Sequence, residues 1–381
     1  MSTNVSSISS SAEAGPETAT PMSYAGYFHT PLPPLFVSGY PKSGTTLLLS
    51  LLDGHPQLIV IPEELHFFRN VLFAQNARRG VRVATGLKRF LPAEPGERGN
   101  WSQGKPQFLG GYPEFDDHKF SDLLDRALQQ HRGGKDLLLR LVDAFVEADG
   151  STTDGHKWCV TKTPNEEIYF PLMRRMFGAD FMFLYIVRDP RDVYLSTRQR
   201  RAILGWRSKS AFNESARMVH FAADWGTRVR VAQRLQASQA NFHVVRYEDL
   251  VLDTQAACAR LGQWLRIENS TALHTPTRHG KPWGGNSVFA DEFGGISAEA
   301  CGRYQRLLDE PTWSGLEWLL HKEMAELGYA ANSAGPRLGW RRRAALSARL
   351  RLQLVNFGFL YKRRQAYMAA RYWLETHRRA R

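Results

Sequence analysis

An eight-residue segment near the start of the chain carries groups that bind phosphate. It reads Gly39-Tyr40-Pro41-Lys42-Ser43-Gly44-Thr45-Thr46, between an apolar strand-like run and a leucine-rich helix-like run. Two glycines allow a tight turn, and the backbone N–H groups of such a turn point inward at the start of the following helix. Because a lysine and three hydroxyls share the turn, the pattern predicts an anion cradle. A plain strand-to-helix turn without a ligand is the alternative.

The segment departs from the nucleoside-triphosphatase pattern at its lysine. In G-x-x-x-x-G-K-[ST] the lysine follows the second glycine and reaches the β- and γ-phosphates. Here Thr45 follows Gly44, and the lysine, Lys42, lies two residues before that glycine. The clamp on the terminal phosphates is missing, which counts against hydrolysis of ATP or GTP. A P-loop kinase of a small metabolite is a competing interpretation.

A second candidate site follows the most apolar strand-like run, residues 181–187. Arg188 comes directly after this run, and Ser196 lies eight residues later in a predicted helix. α/β folds bind ligands at the carboxyl ends of their strands. A guanidinium fork and a hydroxyl suit a phosphate monoester. A structural ion pair between Arg188 and Asp189 is the alternative.

These two segments resemble the donor-binding motifs of sulfotransferases that use 3′-phosphoadenylyl sulfate. Residues 41–46 are similar to the family's 5′-phosphosulfate loop. Arg188 and Ser196 are similar to the arginine and serine of the family's 3′-phosphate motif. The resemblance implies a P-loop-like α/β fold in which Lys42 lies near the oxygen that bridges phosphate and sulfonate. It implies that the 5′-phosphate is held by backbone amides and by the loop residues Ser43, Gly44, Thr45 and Thr46.

Three further positions match this family more loosely. Lys162, in Thr161-Lys162-Thr163-Pro164, resembles a second active-site lysine of glycan sulfotransferases; a solvated loop lysine is the alternative. Lys281 lies in a segment, residues 278–287, that resembles the loop closing over adenosine bisphosphate. Tyr247 ends a predicted strand and either stacks near the adenine or packs in the core.

Transfer of a sulfonyl group to an alcohol requires a base for the hydroxyl proton. The segment Pro62-Glu63-Glu64-Leu65-His66-Phe67-Phe68 offers three candidates. It resembles a segment of heparan-type sulfotransferases in which the Glu three places before the first Phe is the base, and that residue here is Glu64. Capping of a helix by Glu63 and Glu64 is the competing explanation. We expect a packing or hydrogen-bonding role for His66.

The expected reaction is in-line sulfonyl transfer from 3′-phosphoadenylyl sulfate to a hydroxyl, releasing adenosine 3′,5′-bisphosphate. We expect no metal, because Lys42 can neutralise the departing oxygen and the histidines form no H-E-x-x-H-like cluster. The segment at Glu64 favours a saccharide acceptor, on a glycan or glycolipid. A tyrosine or a small-molecule alcohol is the alternative acceptor. A basic adaptor protein is a rival of another class.

Alternating strands and helices must position these residues, which predicts an α/β fold with a parallel sheet covered on both faces. Strands are predicted at residues 35–39, 58–61, 157–161, 181–187 and 242–247. Helices are predicted at residues 45–52, 121–130, 137–148, 166–177, 192–201, 214–237, 254–265, 298–308 and 313–327. A long surface loop is predicted at residues 91–117. Residues 1–34 are a predicted disordered lead-in, residues 35–330 the sulfotransferase domain, and residues 331–381 a basic helical tail.

Composition excludes several classes of protein. The 381 residues are 43% hydrophobic and 23% charged, which is ordinary globular composition. Three scattered cysteines argue against a disulfide framework. No apolar run approaches the roughly 20 residues that a bilayer requires. Because no signal peptide is recognisable either, we expect a cytoplasmic protein.

The net charge of +13 is concentrated at the end of the chain. Residues 337–381 contain thirteen Lys and Arg residues and one acid, Glu375. Apolar residues recur among them at helical spacing: Leu346, Leu350, Leu354, Phe357 and Tyr361. We predict a helix that lies on the anionic inner face of a membrane, apolar side down. A helix packed on the domain is the alternative, and we expect no nucleic-acid partner.

Overall fold

The central feature of the protein is a five-stranded parallel sheet. The computed structural model describes residues 26–68, 115–205, 211–285, 287–289, 295–330, 339–341, 343–355 and 363. The strands are β1 (Pro34–Gly39), β2 (Leu58–Glu64), β3 (Trp158–Lys162), β4 (Met182–Val187) and β5 (Phe242–Arg246), in the spatial order β2-β3-β1-β4-β5. A small antiparallel hairpin follows, with β6 (Thr277–Arg278) and β7 (Lys281–Pro282). The α/β class predicted from the sequence is confirmed.

Helices cover this sheet. They are α1 (Thr45–Leu52), α2 (Asp117–Gln130), α3 (Gly134–Asp149), α4 (Phe170–Phe177), α5 (Pro190–Ile203), α6 (Ala211–Ser238), α7 (Tyr247–Leu252), α8 (Thr254–Leu265), α9 (Tyr304–Leu307) and α10 (Glu310–Glu326). Residues 340, 341 and 343–355 are also helical, and we call them the tail helix. In the part of the chain that the structure describes, no helix combines the length and apolarity needed to cross a bilayer.

Side chains alternate between the two faces of the sheet, so each strand contributes to two cores. Phe36 of β1 packs into an aromatic core with α3 to α6 and α10, whereas Leu35 and Val37 pack into an aliphatic core with α1 and α8. In the aromatic core the rings of Phe183 and Phe242 stack with centroids 4.9 Å apart. A strand buried on both faces must be apolar throughout, which explains the continuous apolar sequence of β4.

Several predicted elements differ in detail from the observed ones; β2, for example, was predicted to end at residue 61 and continues to Glu64. The helix expected at residues 298–308 is a 3₁₀ turn, Ala298–Ala300, followed by α9, because Gly302 between them takes a left-handed conformation with φ 69°. The helix expected at residues 166–177 begins as a 3₁₀ turn and becomes α-helical next to Pro171, whose nitrogen has no hydrogen to donate to the preceding turn. Tyr247, the expected end of β5, instead begins α7.

Part of the expected lead-in is tied to the domain. The backbone N–H groups of Phe28 and His29 each donate to the Asp143 carboxylate of α3 at 2.9 Å, and the Tyr27 hydroxyl donates to Asp136. The described fold therefore begins before residue 35. Residues 1–25, and residues 91–114 of the predicted surface loop, lie outside the described residues.

Candidate active site

The loop at residues 39–46, which we call the phosphate-binding loop after its predicted role, lies at the carboxyl end of β1, the central strand. Gly44 caps α1 with φ 100°, and Lys42 also takes a left-handed conformation, with φ 74°. A Cβ atom on Gly44 would lie 2.5 Å from a ring carbon of Tyr247. A Cβ atom on Gly39 would lie 2.5 Å from the carbonyl oxygen of Ile186. Both glycines are therefore required by the turn and by its close approach to its neighbours.

A cavity of about 370 Å³ opens beside this loop. Its lining includes eight of the predicted site residues: Lys42, Gly44, Thr45, Thr46, Glu64, Arg188, Ser196 and Tyr247. Parallel strands end at the same edge of a sheet, so the ends of β1, β2, β4 and β5 deliver these side chains to one place. The fold thus assembles most of the predicted site, although its parts are far apart in the sequence.

Arg188 lies where an anion could bind. Its guanidinium donates to the carbonyl oxygens of Lys42 at 3.4 Å and Ala300 at 2.5 Å, and lies 4.4 Å from the centre of the Tyr247 ring. Among the described residues, neither Arg188 Nε nor Ser43 Oγ has a hydrogen-bond partner, although both atoms are buried. Buried polar atoms are normally satisfied, so Arg188, which lines the cavity, fits a phosphorylated ligand as the missing partner of its Nε.

Glu64 forms a tight cluster with two basic groups. Lys162 Nζ donates to Glu64 Oε1 at 2.7 Å, and His66 Nε2 lies 3.0 Å from Glu64 Oε2. The register of the sheet places Glu64 of β2 opposite Lys162 of β3, after an irregularity in the pairing that follows Val60. Burial acts to raise the pKa of Glu64, but the charge of Lys162 and the hydrogen bonds from His66 and Lys162 outweigh it and hold that pKa well below its usual value. Glu64 is therefore ionised at neutral pH.

The two lysines of the site differ in their surroundings. Lys162 reaches the phosphate-binding loop, with its Nζ 3.4 Å from Thr46 Oγ1. Burial, together with the charges of Arg200 and Lys162, lowers the pKa of Lys42 to about 8, against the opposing effect of Glu64. An ammonium group with such a pKa is poised to donate a proton or a strong hydrogen bond near neutral pH.

Backbone strain is concentrated at the cavity. Five residues other than glycine have positive φ in the described chain, and three of them line the cavity: Lys42, His66 and Asn165. Such conformations cost about 1–3 kcal/mol each and persist only where the surrounding structure enforces them. Their clustering supports a functional role for this cavity.

Asp192 is a site residue that the sequence analysis missed. It is buried on α5, and its carboxylate accepts the backbone N–H groups of Gly302 and Tyr304 at 2.7 and 2.8 Å. It thereby holds the segment that brings Ala300 and Arg303 to the cavity. Burial raises the pKa of Asp192 to about 6, although Arg188 opposes this. The position of Asp192, four residues after Arg188 and in the first turn of α5, was a signal for it, whereas no pattern pointed to Arg303.

Lys281 is placed differently from the other predicted residues. It is exposed on β7, whereas Ser43 and Lys162, the other two predicted residues that do not line the cavity, are buried beside it. Trp283, two residues after Lys281, does line the cavity. The hairpin is anchored by an ion pair between Arg278 and the buried Glu63, and by Asp53, which accepts from Thr277 Oγ1 and from the backbone N–H of Gly280. Glu63 therefore holds this hairpin, and it does not cap a helix.

Within the described ranges, no group of three or more His, Cys, Asp and Glu side chains could hold a metal ion. The groups that face the cavity are instead the amines, guanidinium groups, hydroxyls and carboxylates described above.

The sequence of the chain matches a known family. A sequence model described as "Sulfotransferase family" matches residues 33–271, which is more than half of the chain. The chain therefore belongs to the sulfotransferase family.

Solved structures with similarity to this chain include two sulfotransferase domains and one dehydratase. The sulfotransferase domain from the curacin biosynthetic pathway is 18% identical, with 79% of this chain and 99% of that chain covered and a TM-score of 0.46. The sulfotransferase domain of the Synechococcus PCC 7002 olefin synthase is 17% identical, with 80% of this chain and 97% of that chain covered and a TM-score of 0.48. Retinol dehydratase, in a complex with retinol and PAP, is 16% identical, with 78% of this chain and 83% of that chain covered and a TM-score of 0.39.

Replacement of Arg188 by Ala should weaken binding of adenosine 3′,5′-bisphosphate about 10- to 100-fold, because it removes one charge-assisted hydrogen bond to the ligand. Adenosine 5′-phosphate, which lacks the 3′-phosphate, should bind the variant and the parent alike. Calorimetric titration of both nucleotides measures the difference. Equal losses for the two would instead assign Arg188 to holding the Lys42 and Ala300 carbonyls.

Proposed function

We propose that this protein transfers a sulfonyl group from 3′-phosphoadenylyl sulfate to a hydroxyl of a saccharide, on a glycan or glycolipid. The observation that carries the proposal is the cavity in which Lys42, Glu64 and Arg188, from three separate elements, come together. Membership of the sulfotransferase family supports the reaction type. The displaced lysine, Lys42, supports this donor over a nucleoside triphosphate.

Donor binding is assigned to the loop and to α5. The N-terminus of α1 offers backbone N–H groups and partial positive charge to the 5′-phosphate, and Thr45 and Thr46 add hydroxyls. Ser43 lies buried within the same turn, with its Oγ available. Arg188 and Ser196 hold the 3′-phosphate, and Tyr247 lies under the Arg188 guanidinium beside the loop. Trp283 lines the same cavity and contributes an aromatic face.

Glu64 takes the proton from the acceptor hydroxyl as the oxygen attacks sulfur. In the free protein Lys162 draws the carboxylate pKa down, which makes Glu64 a weak base. Lys162 also reaches Thr46 of the phosphate-binding loop, so an anionic donor competes for its charge. That competition raises the pKa of Glu64 and strengthens it as a base only when the donor is in place. The proton remains on Glu64 after the new S–O bond has formed.

Lys42 stabilises the leaving group, on the side of sulfur opposite the attacking hydroxyl. The bond that breaks joins sulfur to a phosphate oxygen, and negative charge develops on that oxygen. An ammonium group held in a dry site offsets this charge far better than water does. With a pKa of about 8, Lys42 is mostly charged at neutral pH and can also donate its proton to the leaving oxygen.

The choice of acceptor rests on the groups near Glu64. His66 and Asn165 line the cavity beside it and offer several hydrogen-bonding atoms, as the hydroxyls of a sugar require. A tyrosine or small-molecule alcohol is the second candidate, since the cavity also has an apolar wall formed by Val288, Phe289 and Ile296.

We further propose that the protein works in the cytoplasm, where such acceptors would reach it.

Equilibrium binding of adenosine 3′,5′-bisphosphate against ATP tests the class of enzyme. We expect the bisphosphate to bind tightly and ATP not to compete, because the loop lacks the lysine that clamps the γ-phosphate. Tight binding of ATP, with no binding of the bisphosphate, would identify a kinase instead. Transfer of ³⁵S from labelled donor to a panel of saccharides, tyrosine peptides and small alcohols then identifies the acceptor.

The pH dependence of kcat/KM for the donor should report Lys42. The active form is the charged one, and its pKa lies near 8 in the free protein, so kcat/KM should fall as the pH rises through about 8. The Lys42→Arg variant keeps its charge at high pH and should lose this decline. A decline that is the same in both proteins would show that another group titrates.

A further inference from the structure

The tail helix has one face that packs against the domain. Leu346, only 4% exposed, lies in the aromatic core, and Leu350 packs against the same core. Trp318 of α10 donates from its indole to Ser347 Oγ at 3.2 Å, and the Arg343 guanidinium lies 5.1 Å from the centre of the Trp318 ring. Leu346 and Leu350 were predicted to contact a membrane, but they pack against the domain instead.

The opposite face of the tail helix is exposed and apolar. Its exposed residues are Trp340, Arg341, Ala344, Ala345, Ala348, Arg351, Leu352 and Val355, and we call this set the tail face. At 100° per residue they fall within a single arc of about 140°. Trp340, Leu352 and Val355 are 74%, 65% and 70% exposed, and they are three of the eight large hydrophobic side chains exposed in the described chain. Such clustering marks an interaction site.

We propose that the tail face binds the interface of an anionic membrane. The face carries two arginines beside its apolar residues, and no carboxylate occurs among its eight members. The sequence of residues 337–381, which includes these two arginines, has thirteen Lys and Arg residues and a single acid. Tryptophan and aliphatic side chains that enter the headgroup region, flanked by arginines that meet anionic lipids, are what an interfacial helix requires.

The other occupants of such a face fit its chemistry less well. A nucleic acid would use the arginines but would leave Trp340, Leu352 and Val355 against water. A second copy of the chain would bring together two tails that each carry thirteen basic residues, and their repulsion opposes pairing. An anionic lipid surface satisfies the apolar and the basic residues together. Each basic residue near such a surface raises partitioning about fivefold, which corresponds to ~1 kcal/mol.

The test uses point variants of the full chain, because truncation of the tail would also remove Leu346 from the core. Co-sedimentation with vesicles of phosphatidylcholine, with and without phosphatidylglycerol, measures binding at low salt. The parent should bind only the anionic vesicles. The double variant Leu352→Gln/Val355→Gln should bind them about tenfold or more weakly, because it removes two apolar contacts. Leu252→Gln is the matched control, since Leu252 is 68% exposed on α7, outside the tail face, and it should bind like the parent.

Two further measurements separate membrane binding from the alternatives. Arg341→Gln/Arg351→Gln should weaken binding at low salt and make little difference at high salt, where charge is screened. All variants should bind adenosine 3′,5′-bisphosphate like the parent, because none of the changed residues lines the cavity. The proposal is overturned if the parent does not bind anionic vesicles, if Leu352→Gln/Val355→Gln binds them as tightly as the parent, or if that variant instead dissociates a dimer. Failure of nucleotide binding in every protein would count against the proposed function alone.

Discussion

Replacement of Glu64 by Gln is expected to lower the rate of sulfonyl transfer about 10²–10⁴-fold, the usual contribution of a positioned base. Gln has nearly the same size and can still accept a hydrogen bond from Lys162, but it cannot take the proton of the acceptor hydroxyl. Binding of adenosine 3′,5′-bisphosphate should change little, because the proposed ligands of its 3′-phosphate are Arg188 and Ser196 and not Glu64. Initial rates with saturating donor and calorimetric titration of the bisphosphate measure the two effects.

Glu63→Gln is the matched control for Glu64→Gln, because it makes the same chemical change one residue earlier. Glu63 pairs with Arg278 of the hairpin, and burial raises its pKa, so its replacement should loosen the hairpin and leave the chemical step largely intact. The informative comparison is with His66→Ala. If Glu64→Gln retains full activity while His66→Ala is inactive, His66 is the base and Glu64 only orients its imidazole.

Replacement of Lys42 by Ala is expected to lower kcat about 10²–10³-fold, similar to the loss of one group that stabilises developing charge. The affinity for adenosine 3′,5′-bisphosphate should fall by much less, because the role proposed for Lys42 is to stabilise charge that exists only in the transition state. Single-turnover rates and equilibrium titration of the bisphosphate, made on the same preparation, give the two quantities. Equal losses in rate and affinity would mean that Lys42 only helps to bind the nucleotide.

Lys42→Arg and a chelator provide the controls for this experiment. Arg restores the positive charge with a different shape, so it should recover part of the lost rate. Because Lys42 is assigned the charge on the leaving oxygen, the addition of EDTA should leave the parental rate unchanged. Strong inhibition by EDTA would transfer that role from Lys42 to a metal ion.

Local sequence determined the half of the candidate site that is proposed to bind the donor. The phosphate-binding loop is one continuous segment, and its glycines, lysine and hydroxyls adopt their conformation through a strand, a turn and a helix start within that segment. Arg188 and Ser196 also belong to one strand-to-helix unit, so their spacing along the chain fixes their spacing in space. The apolar runs predicted the five strands of the sheet, because strands covered on both faces carry no polar alternation. These parts could be predicted since each depends on neighbours in the sequence.

Tertiary structure alone decided the contacts between distant segments. Glu64 was expected as the base, but its bond to Lys162 depends on the register of β2 against β3, which involves residues 98 positions apart. Asp192 reaches Gly302 and Tyr304 only because α5 packs beside the segment that contains them. The tail helix shows the same limit: its pattern of apolar residues predicted a helix, but which face would meet the domain depended on Trp318 of α10. The tail helix has apolar residues on both sides of its axis. The sequence alone therefore did not determine which side would be buried, and the packed neighbour did.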